Sequence, residues 1–245
     1  MKLIVLLTDF GESEYVGMMK GVIYSVDPDA KVEDLTHSIP PQSVREGAWV
    51  LLQSYKYYPR GTVFVCVVDP GVGTERDAVI VDTKNYKFIG PDNGLLHPAA
   101  EQDGIQQVFS ISIESSVSRT FHGRDVFAKA AAHISIGRTS ESIGKEKQKL
   151  DDRIEFYLKE RVGEIVRIDR FGNIITNLPP LEKPEMLFST TTVQEKIRVC
   201  GTFAEGPDIG LFVVTGSSGT LEIVSKNTSA AAELYLKIGD RVSLE

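Results

Sequence analysis

The sequence predicts an α/β protein: an N-terminal α/β domain with a largely parallel sheet over residues 1–150, then a smaller all-β domain over residues 160–245. One observation behind this is that short apolar runs alternate with helical patterns through the N-terminal part, as in strands joined by crossover helices. Another is a change of texture between Gly137 and Glu160, where the chain turns charged and loses its apolar period, which reads as a connecting segment. Beyond it, β-prone stretches are separated by Gly, Pro and Ser clusters, the pattern of a small all-β domain.

In the N-terminal part, Leu3 to Leu7, Val32 to Leu35, Val63 to Val68 and Ala78 to Val81 read as strands. A helix is expected from Tyr15 to Val26 and another from Asp125 to Ile136, which is rich in alanine. Between the second and third strands, Ser43 and Glu46 have the spacing of a capping box, followed by Val44, Ala48, Leu51, Leu52 and Tyr55 on one helical face. That helix should end near Pro59-Arg60-Gly61. In the second part, Glu164 to Ile168, Asn173 to Thr176, Thr190 to Val199 and Leu211 to Val214 are the expected strands.

The chain has 245 residues and a formal charge of −7, enough length to bury a full core and no basic field to attract a phosphate backbone. Nucleic acid is therefore excluded as a partner. The apolar run at Leu3–Leu7 is broken by Thr8-Asp9 too early for a signal peptide, and no run approaches the ~20 residues that cross a bilayer. The expectation is a soluble, cytoplasmic protein without membrane association. Its 2 cysteines, Cys66 and Cys200, have neither a metal-ligand nor a disulfide spacing and read as small buried hydrophobes. No metal site is expected.

Polar residues just after a strand are the first suspects for ligand binding in an open parallel sheet. Asp9, in Thr8-Asp9-Phe10-Gly11, could accept both hydroxyls of a vicinal diol, or could equally cap the following helix. Asp69-Pro70-Gly71-Val72-Gly73-Thr74-Glu75-Arg76 lacks the further glycines or the Gly-Lys-Ser/Thr ending of a phosphate cradle, which excludes a nucleoside-triphosphate loop. It puts a carboxylate and a guanidinium on one tight loop, able to converge on a pocket or simply to pair and hold the loop shut. His122, beside Gly123 at the entrance of the alanine-rich helix, is a better catalytic candidate than His133 inside that helix or the loop residues His37 and His97. A packing role is its alternative, and Arg124 and Asp125 can form a local pair. In the second part, Asp169, Asn173, Ser217 and Ser218 lie in polar turns that could be plain turn chemistry or could meet a purine edge and an amino-acid head group.

Together these blocks resemble a known family. Thr8-Asp9-Phe10-Gly11, His37-Ser38-Ile39-Pro40, Val68-Asp69-Pro70-Gly71-Val72-Gly73, Gly90-Pro91-Asp92-Asn93-Gly94, Phe121-His122-Gly123-Arg124-Asp125 and Ile168–Asn177 are similar, in order and over nearly the whole chain, to the S-adenosylmethionine hydroxide adenosyltransferases, relatives of the fluorinating and chlorinating enzymes. The resemblance implies hydrolysis of S-adenosylmethionine to adenosine and methionine without a cofactor. It also implies a barrel-like C-terminal domain and a homotrimer, with substrate held between the N-terminal domain of one subunit and the C-terminal domain of its neighbour. Carried over position by position, Asp9 holds the ribose hydroxyls, and Asp69, Arg76 and His122 form a water-activating triad. Asp169 meets the methionine end, Asn173 and Asn227 the adenine, Phe203 walls the adenosine, and Ser217, with Glu222 as a further candidate, serves the methionine carboxylate. Ser218 stands where halogenating relatives place Arg, a departure at that end of the site.

Water rather than halide is the expected nucleophile. A carboxylate at Asp69 repels an anion by an amount on the order of 1 kcal/mol. Val81 to Lys87 reads as a tight hairpin, without room for the extra loop that halogenating relatives carry after this strand. Which triad member acts as base is left open by the sequence. The rival readings are a halogenase and a module that binds adenosine or S-adenosylmethionine without turnover.

Overall fold

The computed structural model of the protein describes residues 2–114 and 117–245, which fall into two compact units, Met1–Ile154 and Glu155–Glu245.

The first unit runs β1 (Leu3–Thr8), α1 (Tyr15–Val26), β2 (Lys31–Thr36), α2 (Val44–Ser54), β3 (Val63–Val67), β4 (Ala78–Thr83), β5 (Lys87–Pro91), α3 (His97–Asp103), β6 (Ile105–Ile111), α4 (Lys129–Ser135) and β7 (Gly144–Lys147). Its 7-stranded sheet has the order β2-β1-β3-β5-β4-β6-β7. The half formed by β2, β1, β3 and β5 is parallel, as expected. It is extended by an antiparallel half, in which β4 pairs with β5 and β6, and β6 with β7. β5 escapes a sequence reading because it ends in Gly90-Pro91. β7 escapes because Gly144-Lys145-Glu146-Lys147 is a polar edge strand inside the charged stretch that reads as a connector.

Burial on both faces explains the continuous apolar strands. Val16, Met19 and Ile23, one stripe of α1, pack with Ala130, Ala131, Ala132 and Ile134 around α4 on Ile4, Leu6, Val63, Val65 and Val67. On the other side α2 packs on β1 and against α3. α2 begins at Val44, but the expected capping box does not form: Ser43 makes no side-chain cap bond and Glu46 is buried. Ser43 instead sits in a turn with φ −79° and ψ 71°, its N–H donating to the Pro40 carbonyl, outside the extended conformation that aims a capping hydroxyl along the helix. The hairpin between β4 and β5 is as tight as expected, closed by Thr83 N–H donating to the Tyr86 carbonyl at 3.0 Å.

The second unit comprises β8 (Val162–Ile168), β9 (Ile174–Thr176), β10 (Glu185–Ser189), β11 (Gln194–Val199), β12 (Leu211–Thr215), β13 (Leu221–Ser225), α5 (Ala230–Leu234) and β14 (Arg241–Leu244). The strands close a barrel in the order β10-β11-β12-β13-β9-β8-β14, which leaves no free edge. Alternate residues such as Ile165, Phe188, Ile197, Val213, Ile223 and Leu244 fill its interior. The strand expected over Thr190–Val199 starts only at Gln194, because Thr190 N–H donates to the Val193 carbonyl and turns the chain.

Candidate active site

β1 lies between β2 and β3, so the chain leaves it toward one side and returns on the other, making a topological switch point. Loops at the carboxyl ends of such neighbouring parallel strands open a crevice, and Asp9 follows β1 while Asp69 follows β3. Asp9 does not cap α1, whose N-cap is Glu14; its Oδ2 accepts the Gln42 N–H at 2.8 Å. The loop carrying Asp9 is pinned by His37, whose Nδ1 bonds the buried Thr8 hydroxyl at 2.9 Å and whose carbonyl accepts the Gly11 N–H at 2.8 Å. Gly11 turns there with φ 62°, a conformation costly for residues with a Cβ.

Asp69, Arg76 and His122 meet. Arg76 Nε donates to Asp69 Oδ1 at 3.0 Å and its Nη2 donates to Asp69 Oδ2, a two-pronged ion pair with both side chains largely buried. The same Nη2 lies 2.8 Å from His122 Nδ1. The guanidinium also rests over the Phe127 ring, 5.5 Å from its centroid. His122 caps a π-helical turn, Gly123–Ala128, that leads into α4. Such irregular turns recur at functional sites because they re-aim a side chain relative to a regular helix. His122 is buried, and burial together with the Arg76 charge pulls its pKa below the ordinary histidine range against the opposing pull of Asp69 and Asp125.

Asp69 and His122 line a cavity of about 610 Å³, of the size that takes a nucleoside-sized ligand. Asp9, Phe10, Tyr15, Gln42, Asp69 and His122 are among its walls, with Arg76 behind Asp69 and His122. Phe10, Tyr15 and Phe121 pack edge to face with centroids 5.0 to 5.9 Å apart and give one wall an apolar surface. Arg124 also lines the cavity but is paired with Asp125, as the local reading allows, through Nε to Oδ1 at 2.6 Å. His97, expected on a loop, instead opens α3, where its Nδ1 lies 3.1 Å from the Ile154 carbonyl.

In the barrel unit, Asp169 and Asn173 close one turn: Asp169 Oδ1 accepts the Phe171 and Asn173 N–H groups, and Oδ2 accepts the Asn173 side-chain amide, each at 2.9 Å. Asn227, in a left-handed conformation with φ 69°, follows β13 in a segment that meets this turn, where Ala231 N–H donates to the Gly172 carbonyl. Phe203 is half exposed on a short helical turn whose loop is tied to Lys226 through the Gly206 carbonyl. Ser217 is exposed on the β12–β13 hairpin, at the other end of β13 from Asn227. Glu222 is buried on β13, and burial, with the Asp169 carboxylate adding repulsion, raises its pKa.

Sequence reasoning missed Gln42, whose left-handed backbone at φ 65° aims its N–H at Asp9. The Pro40-Pro41 pair before it is the signal that could have marked this turn. It also missed a group of carboxylates, Asp77, Asp92 and Asp151, close enough together to hold a cation; among the described residues they hold the ammonium of Lys147.

An α/β unit with a charged cluster at its switch point, followed by a closed barrel, defines a two-domain protein built to take a small polar ligand. Residues 4–144 match the N-terminal domain, and residues 163–243 the C-terminal domain, of the SAM hydroxide adenosyltransferases, and the chain belongs to this family. A protein of Methanocaldococcus jannaschii named (R)-S-adenosyl-L-methionine hydrolase is 42% identical over 80% of this chain and 73% of its own length. One of the same name from Thermus thermophilus is 37% identical over 100% of both chains, whereas a fluorinase of Nocardia brasiliensis is 26% identical over 99% of this chain and 96% of its own. Among solved structures, a conserved protein of Thermotoga maritima superposes with a TM-score of 0.89 at 33% identity, covering 99% of this chain and 100% of that one. No helix among the described residues is long and apolar enough to cross a membrane.

Proposed function

We propose that the chain hydrolyses S-adenosyl-L-methionine to adenosine and L-methionine, with water attacking C5′. The observation that carries this reading is the contact of Arg76 with both Asp69 and His122 at the wall of a nucleoside-sized cavity that also presents Asp9. The hydrolase names of relatives 37% and 42% identical support it.

The roles follow from hydrogen-bond direction. A guanidinium only donates, so His122 Nδ1 accepts from Arg76 and the neutral ring carries its proton on Nε2. A water between the two wall groups donates to the Asp69 carboxylate and accepts from His122 Nε2–H. Its oxygen attacks C5′ in line with the carbon–sulfur bond, and the bonding pair leaves with sulfur, turning the sulfonium into the neutral thioether of methionine. The water's proton passes to Asp69 and on to solvent. Arg76 holds both partners and lowers the energy of the hydroxide-like oxygen by its charge. A halide at the same place would face the Asp69 carboxylate.

The remaining assignments belong to the same proposal. Asp9 holds the ribose diol. Asp169 serves the methionine end, Asn173 and Asn227 the adenine, and Phe203 walls the adenosine, with Ser217 and Glu222 toward the methionine carboxylate. The protein acts without a cofactor in the cytoplasm, as a homotrimer in which the two half-sites come from neighbouring subunits. The R configuration that the relatives' names specify is proposed for the sulfonium taken by this chain.

The test is incubation of the purified protein with S-adenosylmethionine in chloride-free and chloride-containing buffer. Equal adenosine formation in both is expected. A chloride-dependent 5′-chloro product would transfer the chain to the halogenases, and tight binding with undiminished substrate would make it a binding module.

A further inference from the structure

The loop from Asp69 to Arg76 carries two of the three clustered groups, and both of its stems are tied to one half-buried cation outside the cavity. Lys147, the last residue of β7, donates to Asp77 Oδ2 at 2.6 Å, sits 2.9 Å from Asp92 Oδ2 and donates to Asp151 Oδ2 at 2.5 Å. Asp77 is the chain neighbour of Arg76. Its carboxylate also accepts the Ser110 hydroxyl at 3.1 Å, and its carbonyl accepts the Asp92 N–H at 2.9 Å and faces Arg76 Nη1 at 3.4 Å. Asp92 is the chain neighbour of Asn93, whose side-chain amide donates at 2.9 Å to the carbonyl of Val68, the residue before Asp69. One ammonium therefore binds the exit stem through Asp77 and the entry stem through Asp92 and Asn93.

We propose that Lys147 is a positioning residue for the hydrolytic cluster, acting through Asp77 and Asp92 to set the distance between the two stems and so the meeting of Arg76 with Asp69 and His122. The inference rests on the reading of that cluster as the reacting group. Two features mark the clamp as more than a surface ion pair. The Asp92 side chain is 1% exposed and that of Lys147 14%, so an unpaired charge there would be costly, whereas exposed pairs contribute little. Burial opposes the lysine charge, but Asp151, Asp77 and Asp92 outweigh it and hold Lys147 protonated well above its ordinary range. Asp151, 65% exposed and on neither stem, is the internal control.

The experiment compares Asp77→Asn with Asp151→Asn, each removing one carboxylate from Lys147, by turnover and by NMR titration of His122, assigned by its loss in His122→Gln. The signs separate positioning from plain electrostatics. Deleting a carboxylate lowers the pKa of a nearby histidine, whereas release of Arg76 from His122 raises it; the groups facing His122 are Arg76, Asp69 and Asp125. For Asp77→Asn we expect the His122 pKa to rise by about half a pH unit or more. We also expect kcat to fall about tenfold with KM within about twofold, the pattern of a lost transition-state interaction. For Asp151→Asn both should stay within about twofold of wild type, with no rise in the His122 pKa. An unchanged or lowered His122 pKa in Asp77→Asn, or equal loss of kcat in both variants, overturns the proposal. If Asp77→Asn does not fold, Lys147→Arg is read by the same criteria, since a planar guanidinium cannot seat as a compact ammonium against three carboxylates. The titration needs no substrate, so a wild-type protein that makes no adenosine removes the functional reading while leaving the clamp testable.

Discussion

Arg76 and His122 share one hydrogen bond, Nη2 to Nδ1 at 2.8 Å, and it can run in one direction only, since the guanidinium has no acceptor. Protonation of the imidazole would set N–H against N–H beside a fixed positive charge. Activity is therefore expected to fall on the acid side as His122 gains a proton, with the midpoint below the ordinary histidine value of 6.5. The stability linkage has the same sign. Between the lowered folded pKa and the unfolded one the unfolded chain binds more protons, so stability rises with pH through that window and the full penalty applies below it. A pH profile of kcat checks the first statement, and Arg76→Met should move its acid limb upward.

The fork of Arg76 joins Asp69 to His122, and a lysine cannot reproduce it. Arg76→Lys is expected to reduce turnover by about 10²–10³-fold, and Asp69→Asn by about 10²–10⁴-fold. Both should bind adenosine within a few-fold of wild type. Single-turnover rates and calorimetry with adenosine separate the two effects; a loss confined to affinity would place these residues in binding alone.

The candidate residues divide between the two units, Asp9, Asp69, Arg76 and His122 in the first, the rest in the second. If sites form between subunits, Asp69→Asn and Phe203→Arg chains, each inactive alone, regain activity when unfolded together and reassembled. Random mixing in equal amounts leaves about a quarter of the sites intact and should restore about a quarter of the overall wild-type rate. No recovery in mixed assemblies would mean that each chain builds its own site.

Gly73 turns with φ 79°, and a Cβ there would press into the carbonyl of Arg119. Gly73→Ala is therefore expected to cost about 1–3 kcal/mol of stability. It should also push the loop carrying Asp69 from the loop ahead of His122, lowering turnover. Thermal melts and initial rates check this; an unaffected variant would mean that the two loops part freely.

How much of this was legible in the sequence depends on range. Asp9, Asp69 and His122 could be singled out because each sits beside a strand end or a helix entrance, features that local pattern records. The Asp69–Arg76 pair was readable because both lie on one short loop. Gln42, Lys147 and Asp92 were not, since what defines them is contact with residues distant in sequence: Gln42 with Asp9, and Lys147 with Asp77. Within the parallel half, β1 and β3 show as continuous apolar runs buried on both faces. The antiparallel extension was only partly legible, through β4, because β5, which joins the two halves, carries Gly and Pro and β7 is a polar edge. The closed barrel rests on pairings such as β14 with β8, between segments at opposite ends of the unit, which no local period encodes.

In the proposed reaction, water held by Asp69 and His122 supplies the oxygen of the new bond at C5′. Incubation with S-adenosylmethionine in ¹⁸O-labelled water, read by mass spectrometry, tests it most directly. Adenosine carrying the label at O5′ in every turnover, released with unlabelled methionine, is the expected result. Unlabelled adenosine, or a 5′-halogenated nucleoside in its place, would contradict it.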